Sequence, residues 1–487
     1  MAAPFKLTRV PSLRTVEAFR AHISELDLNI PCAEEPDPVL LGEPVPGIKI
    51  NGKTIGNRFA IHPMEGWDGT TDGRATDLVR RRWRRFGESG AKLIYGGEAM
   101  AVRPDGRANP NQLVIGATDL VELKEIATTA HRELHGDPED FAIGFQLTHS
   151  GRFCRPNEKS KYEPRVAYRH PILDAKFHVT SDAQVFTDTE LDDLSEDYVK
   201  AARIANDAGA DFIDLKHCHG YLLHELLGAH TRPGNYGGSF ENRTRMLRQI
   251  VAGIRSEGNA IDLGVRLSAF DLVPHRPDPT LTQPGKPGPG IPDAFSAPYP
   301  FQFGINHDNP TGIDLTESFA FLKLCAELGV KLINISGGSP YYNPHCQRPA
   351  AYPPSDGYQP AHDPLIDVAR LLYVAAKLRA ELPADMALIG TGYSYLQEYL
   401  PHVATAIIRE GGADLIGLGR MTLSYPHLPA DILEKGTLEK RNICRTFSDC
   451  TTAPRNGLVS GCFPLDEFYT NHTGNDQLRK IKRGETQ

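Results

Sequence analysis

Short apolar runs recur along the chain, each almost free of charge and each followed by a segment with helical or loop character. They are RFAIHPM (58–64), KLIYGGEA (92–99), FAIGFQL (141–147), DFIDLKHC (211–218), LGVRLSAF (263–270), KLINISGG (331–338), ALIGTG (387–392) and DLIGLGR (414–420). Continuous runs of this length fit strands of a parallel sheet buried on both faces. Between them, SFENRTRMLRQIVAGIRSEG offers Ser239 as an N-cap, an apolar stripe of Leu247, Ile250, Val251 and Ile254, and Gly258 as a stop. GIDLTESFAFLKLCAELG and DPLIDVARLLYVAAKLRAEL carry the same periodicity. In VRRRWRRF, Val79, Trp83 and Phe86 make one buried helix face, with the arginines directed to solvent. Eight strand-then-helix units predict an α/β fold, a (β/α)8 TIM barrel over residues 58–435, with an open doubly wound sheet as the alternative.

Three stretches lie outside the strand-and-helix units. Residues 1–57 form an N-terminal extension ending in PGIKINGKTIGNRF, where Asn51-Gly52 predicts a hairpin closing the barrel bottom. Asp271 to Gly312 is too rich in proline and glycine for a helix. It follows the fifth strand onto the C-terminal face and is expected to be a lid that roofs the substrate pocket. Residues 436–487 form a C-terminal tail containing CRTFSDC and GC.

Composition narrows the function classes. A net charge of −8 with interspersed signs argues against nucleic acid or an anionic membrane surface as partner. No apolar run approaches the roughly 20 residues of a membrane span, and MAAPFKLTRV lacks the apolar core of a signal peptide. Eight cysteines spread over 487 residues do not form a disulfide framework, so a reducing, cytoplasmic setting is expected. A small-molecule substrate follows, with homo-oligomerisation left open.

In a barrel the C-terminal strand ends face one pocket. They read HPMEGWDG, GGEAMAV, FQLTHSGR, KHCHGY, VRLS, SGGS, GTG and GLGR. The last three present Gly338, Gly390, Gly392 and Gly419 beside hydroxyls or Arg420, a composition suited to cradling a phosphate. Gln146 and Arg266 sit mid-strand and need partners; a planar heterocycle would satisfy both, as would each other or backbone. Strand alternation puts Lys216 and Cys218 on one face and His217 on the other.

The motifs HPM, GGEA, FQLTHSGR, HGYLLHELL, NYGGSFENR, VRLS and GADLIGLGR follow one another between about Lys49 and Pro429. In this order the chain resembles the old yellow enzyme family, in its broad NADH:flavin oxidoreductase and 2,4-dienoyl-CoA reductase sense. The resemblance implies FMN across the barrel mouth and NADH or NADPH as reductant. Pro63, Met64 and Ala99 would line the ring, with Glu65 beside it. Gln146 would meet the pyrimidine edge, Arg266 would sit near N1 and O2, and Gly390, Gly392, Gly419 and Arg420 would hold the phosphate. In the family motif His-x-x-His-Gly-Tyr, two donors hold a substrate oxygen while tyrosine protonates carbon. Here those positions are Lys216, His219 and Tyr221, which implies reduction of an activated C=C bond of enone or enoate type.

The chain departs from the family pattern in three places. Lys216 replaces the first donor; Glu65 follows Pro-Met, with Lys216 as its candidate partner and Trp67 walling the substrate pocket. Cys444, Cys450 and Cys462 match an iron–sulfur motif of larger relatives, but Phe447 takes the second ligand position. Three cysteines make a poor four-iron site, so a relic without metal is expected. The larger relatives also carry a dinucleotide-binding module, which GNDQLRKIKRGETQ is too short to supply; the nicotinamide is therefore expected at the same flavin face as the oxidant. Three other readings remain: an amine dehydrogenase or N-demethylase binding a zwitterion through Lys216 and Glu65, a Schiff-base lyase using Lys216, and a flavoprotein without catalysis.

Overall fold

Eight parallel strands close on themselves in this computed structural model, which describes residues 7–283 and 285–485. They are β1 (Phe59–Ile61), β2 (Leu93–Ile94), β3 (Ala142–Thr148), β4 (Phe212–His217), β5 (Asp262–Ser268), β6 (Val330–Ser336), β7 (Ala387–Gly390) and β8 (Leu415–Leu418). Neighbours in sequence pair in parallel, and β8 returns to β1 with Ile61 opposite Leu418. The sheet is therefore a closed (β/α)8 barrel, and the open alternative is excluded. Each apolar run contains one strand.

Two glycines shape the rim. After β2 the chain leaves the ladder at Gly96 (φ +88°) and Gly97 (φ +57°), and a Cβ on Gly97 would lie 2.2 Å from the Trp83 ring. Residues Ala99–Ala101 then rejoin the upper half of β3, with Ala99 opposite Gln146. Glu98 and Ala99 are thereby set at the barrel mouth.

The helix Asp77–Gly87 buries Val79, Trp83 and Phe86 on one face. The expectation that all its arginines face solvent fails at Arg82, which is 5% exposed. Arg82 Nη1 donates to Glu98 Oε1 at 2.7 Å and to Asp68 Oδ1 at 3.1 Å. Two buried carboxylates on the adjoining loops draw it inward. The stretch from Ser239 forms two helices, Phe240–Arg243 and Arg245–Ser256, and the Ser239 side chain accepts from Asn242 N–H.

At the opposite end of the barrel, Ile50 and Lys53 exchange both backbone hydrogen bonds at 2.9 Å around Asn51 (φ +49°) and Gly52 (φ +76°). Positive φ at both turn residues is the type I′ signature that Asn-Gly favours. Ile48, Ile50 and Ile55 pack with Phe212, Leu332, Ala387 and Leu415 in one cluster on the barrel floor. Asn51 N–H donates to Asp262 Oδ2 at 2.7 Å, and Lys53 Nζ lies 3.0 Å from Asp211, so the turn is pinned to the starts of β4 and β5.

Within the barrel, the Tyr95 and Phe212 rings lie 5.3 Å apart, and a Cβ on Gly144 would come within 2.5 Å of Phe212. Replacing Phe212 with alanine empties this layer and should cost about 3–5 kcal/mol. The expected outcome is a lower denaturant midpoint at unchanged slope; an unchanged midpoint would show that Phe212 does not carry the floor.

Candidate active site at the barrel mouth

The C-terminal strand ends surround one cavity with about 1310 Å³ of empty space. From β1 and its following loop come Pro63, Met64, Glu65 and Trp67; from the rejoined strand and β3 come Ala99 and Gln146. Lys216, His219, Tyr221 and Arg266 line it from β4, its loop and β5, and Gly392, Gly419 and Arg420 from the ends of β7 and β8. Gly338 and Gly390 do not line it. The Gly338 N–H is taken by Phe270 O at 2.8 Å, and a Cβ on Gly390 would lie 2.4 Å from the Tyr393 hydroxyl. Packing, rather than a ligand, accounts for those two glycines.

The inner wall is organised by Asp214, which lies inside the apolar run that forms β4. Its Oδ2 accepts from Gln146 Nε2 at 2.5 Å, and its Oδ1 accepts from Arg266 N–H at 2.7 Å and the Tyr95 hydroxyl at 3.2 Å. Burial pushes the Asp214 carboxyl up to about 6. The Arg266 side chain is different: it is 5% exposed, and its Nε is buried without a hydrogen-bond partner among the described residues. A desolvated guanidinium left in that state is costly unless a ligand supplies acceptors.

At the far end of the cavity Arg420 is joined by Arg348 and Arg455. Burial, with the charges of Arg348 and Arg455, brings Arg420 down to about 9. Arg455 pairs with Asp356, and Arg348 Nη1 donates to Ser448 Oγ at 2.8 Å. Cation density here exceeds the local acid, as an anion site requires.

Between these ends lies a compact proton and charge cluster. The Tyr221 hydroxyl donates to Glu65 Oε2 at 3.2 Å and meets the Tyr341 hydroxyl at 3.0 Å. Lys216 Nζ lies 3.6 Å from Glu65 Oε2 and 3.5 Å from the centre of the Tyr221 ring. Burial, then the Glu65 charge and Tyr341, drives the Tyr221 phenol well above its ordinary value, so it stays protonated. Burial lowers Lys216, and the nearby carboxylate opposes that shift. His219, at φ +66°, directs Nε2 to Ser336 Oγ at 3.0 Å, and burial holds its ring neutral. His217 points away, its Nδ1 2.9 Å from Leu215 O and its ring against Phe321.

The roof differs from the sequence expectation. No described residue of 271–312 lines this cavity; Pro340, Tyr341 and 347–349, after β6, cover it together with tail residues such as Thr446, Cys450, Thr451 and Arg455. The proline-rich insert instead braces the loop after β6, with His275 N–H on Tyr342 O and Gly290 N–H on Gln359 O, both 2.9 Å. In the tail, Cys444 and Cys462 are buried, and Phe447 stacks on Tyr352 at 6.0 Å.

Sequence reasoning missed His62, Arg82, Glu98, Asp214, Tyr341, Arg348 and Arg455. His62 and Glu98 stand in the quoted strand-end motifs and Tyr341 just beyond one, so a search for every polar residue there would have found them. Arg348 and Arg455 carry no such signal.

Glu98 yields a test of this wall. Burial pushes it from an ordinary 4.5 up to about 7 despite Arg82, with Asp68 adding to the rise. Across that window the folded chain holds a proton that the unfolded chain releases, so stability from Glu98 falls as pH rises. Wild-type stability relative to Glu98→Gln, measured by denaturant titration from about pH 4.5 to 7, should therefore decline as pH rises. A constant difference would contradict the assignment.

Comparison with known proteins relates this chain to oxidoreductases. The model of the NADH:flavin oxidoreductase / NADH oxidase family matches residues 45–282. The NADPH dehydrogenase of Geobacillus sp. (strain WCH70) is 28% identical over 395 residues, 80% of this chain and 93% of that enzyme. A solved 2-naphthoyl-CoA reductase superposes with a TM-score of 0.62 at 19% identity, covering 89% of this chain and 58% of that one. Histamine dehydrogenase from Rhizobium sp. 4-9 gives a TM-score of 0.59 at 19% identity, covering 87% of this chain. This chain spans only 52% of that dehydrogenase, and at 19% identity these two structures speak for the fold alone.

Proposed function

We propose that this oxidoreductase is a member of the NADH:flavin oxidoreductase / NADH oxidase family and uses FMN and NAD(P)H to reduce a C=C bond conjugated to a carbonyl group. The carrying observation is the pair of cationic ends on one cavity: the buried, unpartnered Arg266 guanidinium and, across the mouth, Arg420 with Arg348 and Arg455. A planar acceptor-rich ring with an anionic tail satisfies both. Arg266 and the free oxygen of Gln146 would hold the ring edge, Pro63, Met64 and Ala99 its surroundings, and Gly392, Gly419 and the arginines its phosphate. When bound, FMN supplies the carrier that accepts hydride from the nicotinamide and passes it to an electron-poor carbon.

The chain's own residues supply charge and protons. Lys216 brings a cation and His219 a neutral ring to the cavity, both suited to a substrate oxygen that gains negative charge. Tyr221 holds its proton on the phenol oxygen and releases it only to a strong base, such as the carbon next to that carbonyl. Tyr341, 3.0 Å behind, is placed to return a proton to Tyr221. The contacts of Lys216 with Glu65 and the Tyr221 ring oppose, without reversing, the lowering that burial imposes on its ammonium group.

One observation favours amine oxidation as a second reading. Glu65 Oε1 is buried without a partner among the described residues, so a substrate ammonium would complete it.

Purified protein should carry FMN that NAD(P)H bleaches, and Arg266→Ala should lose flavin on dialysis that the wild type retains. Colourless wild-type protein that excess FMN cannot reconstitute would overturn the proposal. Tyr221→Phe should slow reoxidation by a cyclic enone by roughly 10²–10⁴-fold while leaving reduction by NAD(P)H unchanged. Equal slowing of both half-reactions would remove Tyr221 as proton donor. Oxidation of histamine-like amines without enone turnover would select the second reading.

A further inference from the structure

We propose that His345, Cys346, Asp367 and His362, with His275 beside them, form a binding site for a divalent transition-metal ion of the zinc type. None of these residues takes part in the flavin cavity, and the inference does not depend on the flavin reading. His345 and Cys346 lie on the short helix Pro344–Gln347, and Asp367 lies on the helix Leu365–Arg379.

One donor atom from each of His345, Cys346 and Asp367 falls within 4.8 Å of the other two. Zn–N near 2.0–2.1 Å and Zn–S near 2.3 Å in a tetrahedron imply donor separations of about 3.3–3.8 Å. Cys346 Sγ lies 3.3 Å from His345 Nε2, within that range. His362 Nε2 hydrogen-bonds the same carboxylate, 2.7 Å from Asp367 Oδ2, and would exchange that bond for the metal to become the fourth donor. Soft thiolate, imidazole and one carboxylate suit zinc, cobalt or nickel rather than magnesium or calcium.

The surrounding contacts orient these groups toward a common point. His275 Nδ1 donates to Val273 O at 2.8 Å, which leaves the lone pair on Nε2, and its ring centre is 4.6 Å from that of His345. His345 Nδ1 meets the Tyr358 hydroxyl at 2.5 Å, so Nε2 is the nitrogen turned to Cys346. Such a partner on the second ring nitrogen is the usual way a ligating imidazole is fixed. Arg370 Nη1 donates to Asp367 Oδ1 at 2.5 Å, leaves Oδ2 to His362, and offsets the negative charge formed when Cys346 releases its proton to solvent on binding. His275, His345, His362 and Asp367 also line a second cavity with about 940 Å³ of empty space, which gives an ion its route in.

The site joins the loop after β6 to the helix Leu365–Arg379, and that loop carries Tyr341 and Arg348. Filling it would fasten part of the roof over the barrel mouth.

Tag-free full-length protein, stripped with a chelator and dialysed against zinc, should retain one zinc ion per chain by mass spectrometry. X-ray absorption at the zinc edge should show a single sulfur among nitrogen and oxygen ligands, and zinc should raise the thermal midpoint. Cys346→Ser should abolish the sulfur signal. His362→Ala, at a half-exposed residue whose loss leaves the fold intact, should weaken zinc binding at least tenfold and remove the zinc-dependent rise in midpoint. Cys450→Ser should change neither. No retained zinc, or zinc that survives Cys346→Ser and His362→Ala but leaves with Cys450→Ser, would overturn the proposal and assign the metal to the tail cysteines.

Discussion

A carboxylate inside a parallel barrel must be fully engaged or it destabilises the fold, and Asp214 is engaged on both oxygens. Its contacts fix the Gln146 side chain, the backbone that carries Arg266 and the Tyr95 hydroxyl. They link β3, β4 and β5 with the chain just beyond β2, through side chains rather than the sheet ladder. Its oxygens accept from those partners and not from the Arg266 guanidinium, whose Nε has no hydrogen-bond partner among the described residues.

The second organising feature is the competition around Glu65. Lys216, Tyr221 and Tyr341 all converge near one largely shielded carboxylate. Each contact alone is modest, but in a site shielded from water their mutual orientation is worth more than on a surface. A cation, a protonated phenol and a carboxylate side by side can stabilise a developing oxyanion or receive an ammonium. The two readings proposed for this site, reduction of a conjugated alkene and oxidation of an amine, would therefore draw on one constellation.

Much of this was legible in the sequence. Strands buried on both faces read as unbroken apolar runs, so all eight emerged, and their ends delivered Gln146, Lys216, His219, Tyr221, Arg266 and Arg420 to one place. Asp214 was hidden because an isolated acid within an apolar run has no periodicity, and its partners Gln146 and Tyr95 are distant in sequence. Arg82 was misread for a related reason: a run of arginines looks solvated until the two acids on neighbouring loops are placed. The 271–312 insert shows a different limit. Topology gives the face on which a loop emerges, but only packing gives the side of that face it covers. Arg348 and Arg455 reach the cavity through a tail whose path no local pattern specifies.

The division of the roof has a consequence for biogenesis. Residues 446–460 are translated after β8, so the cylinder can close while its mouth is still partly uncovered. During that interval a ligand of the proposed kind would reach the cavity from above without prising apart finished structure.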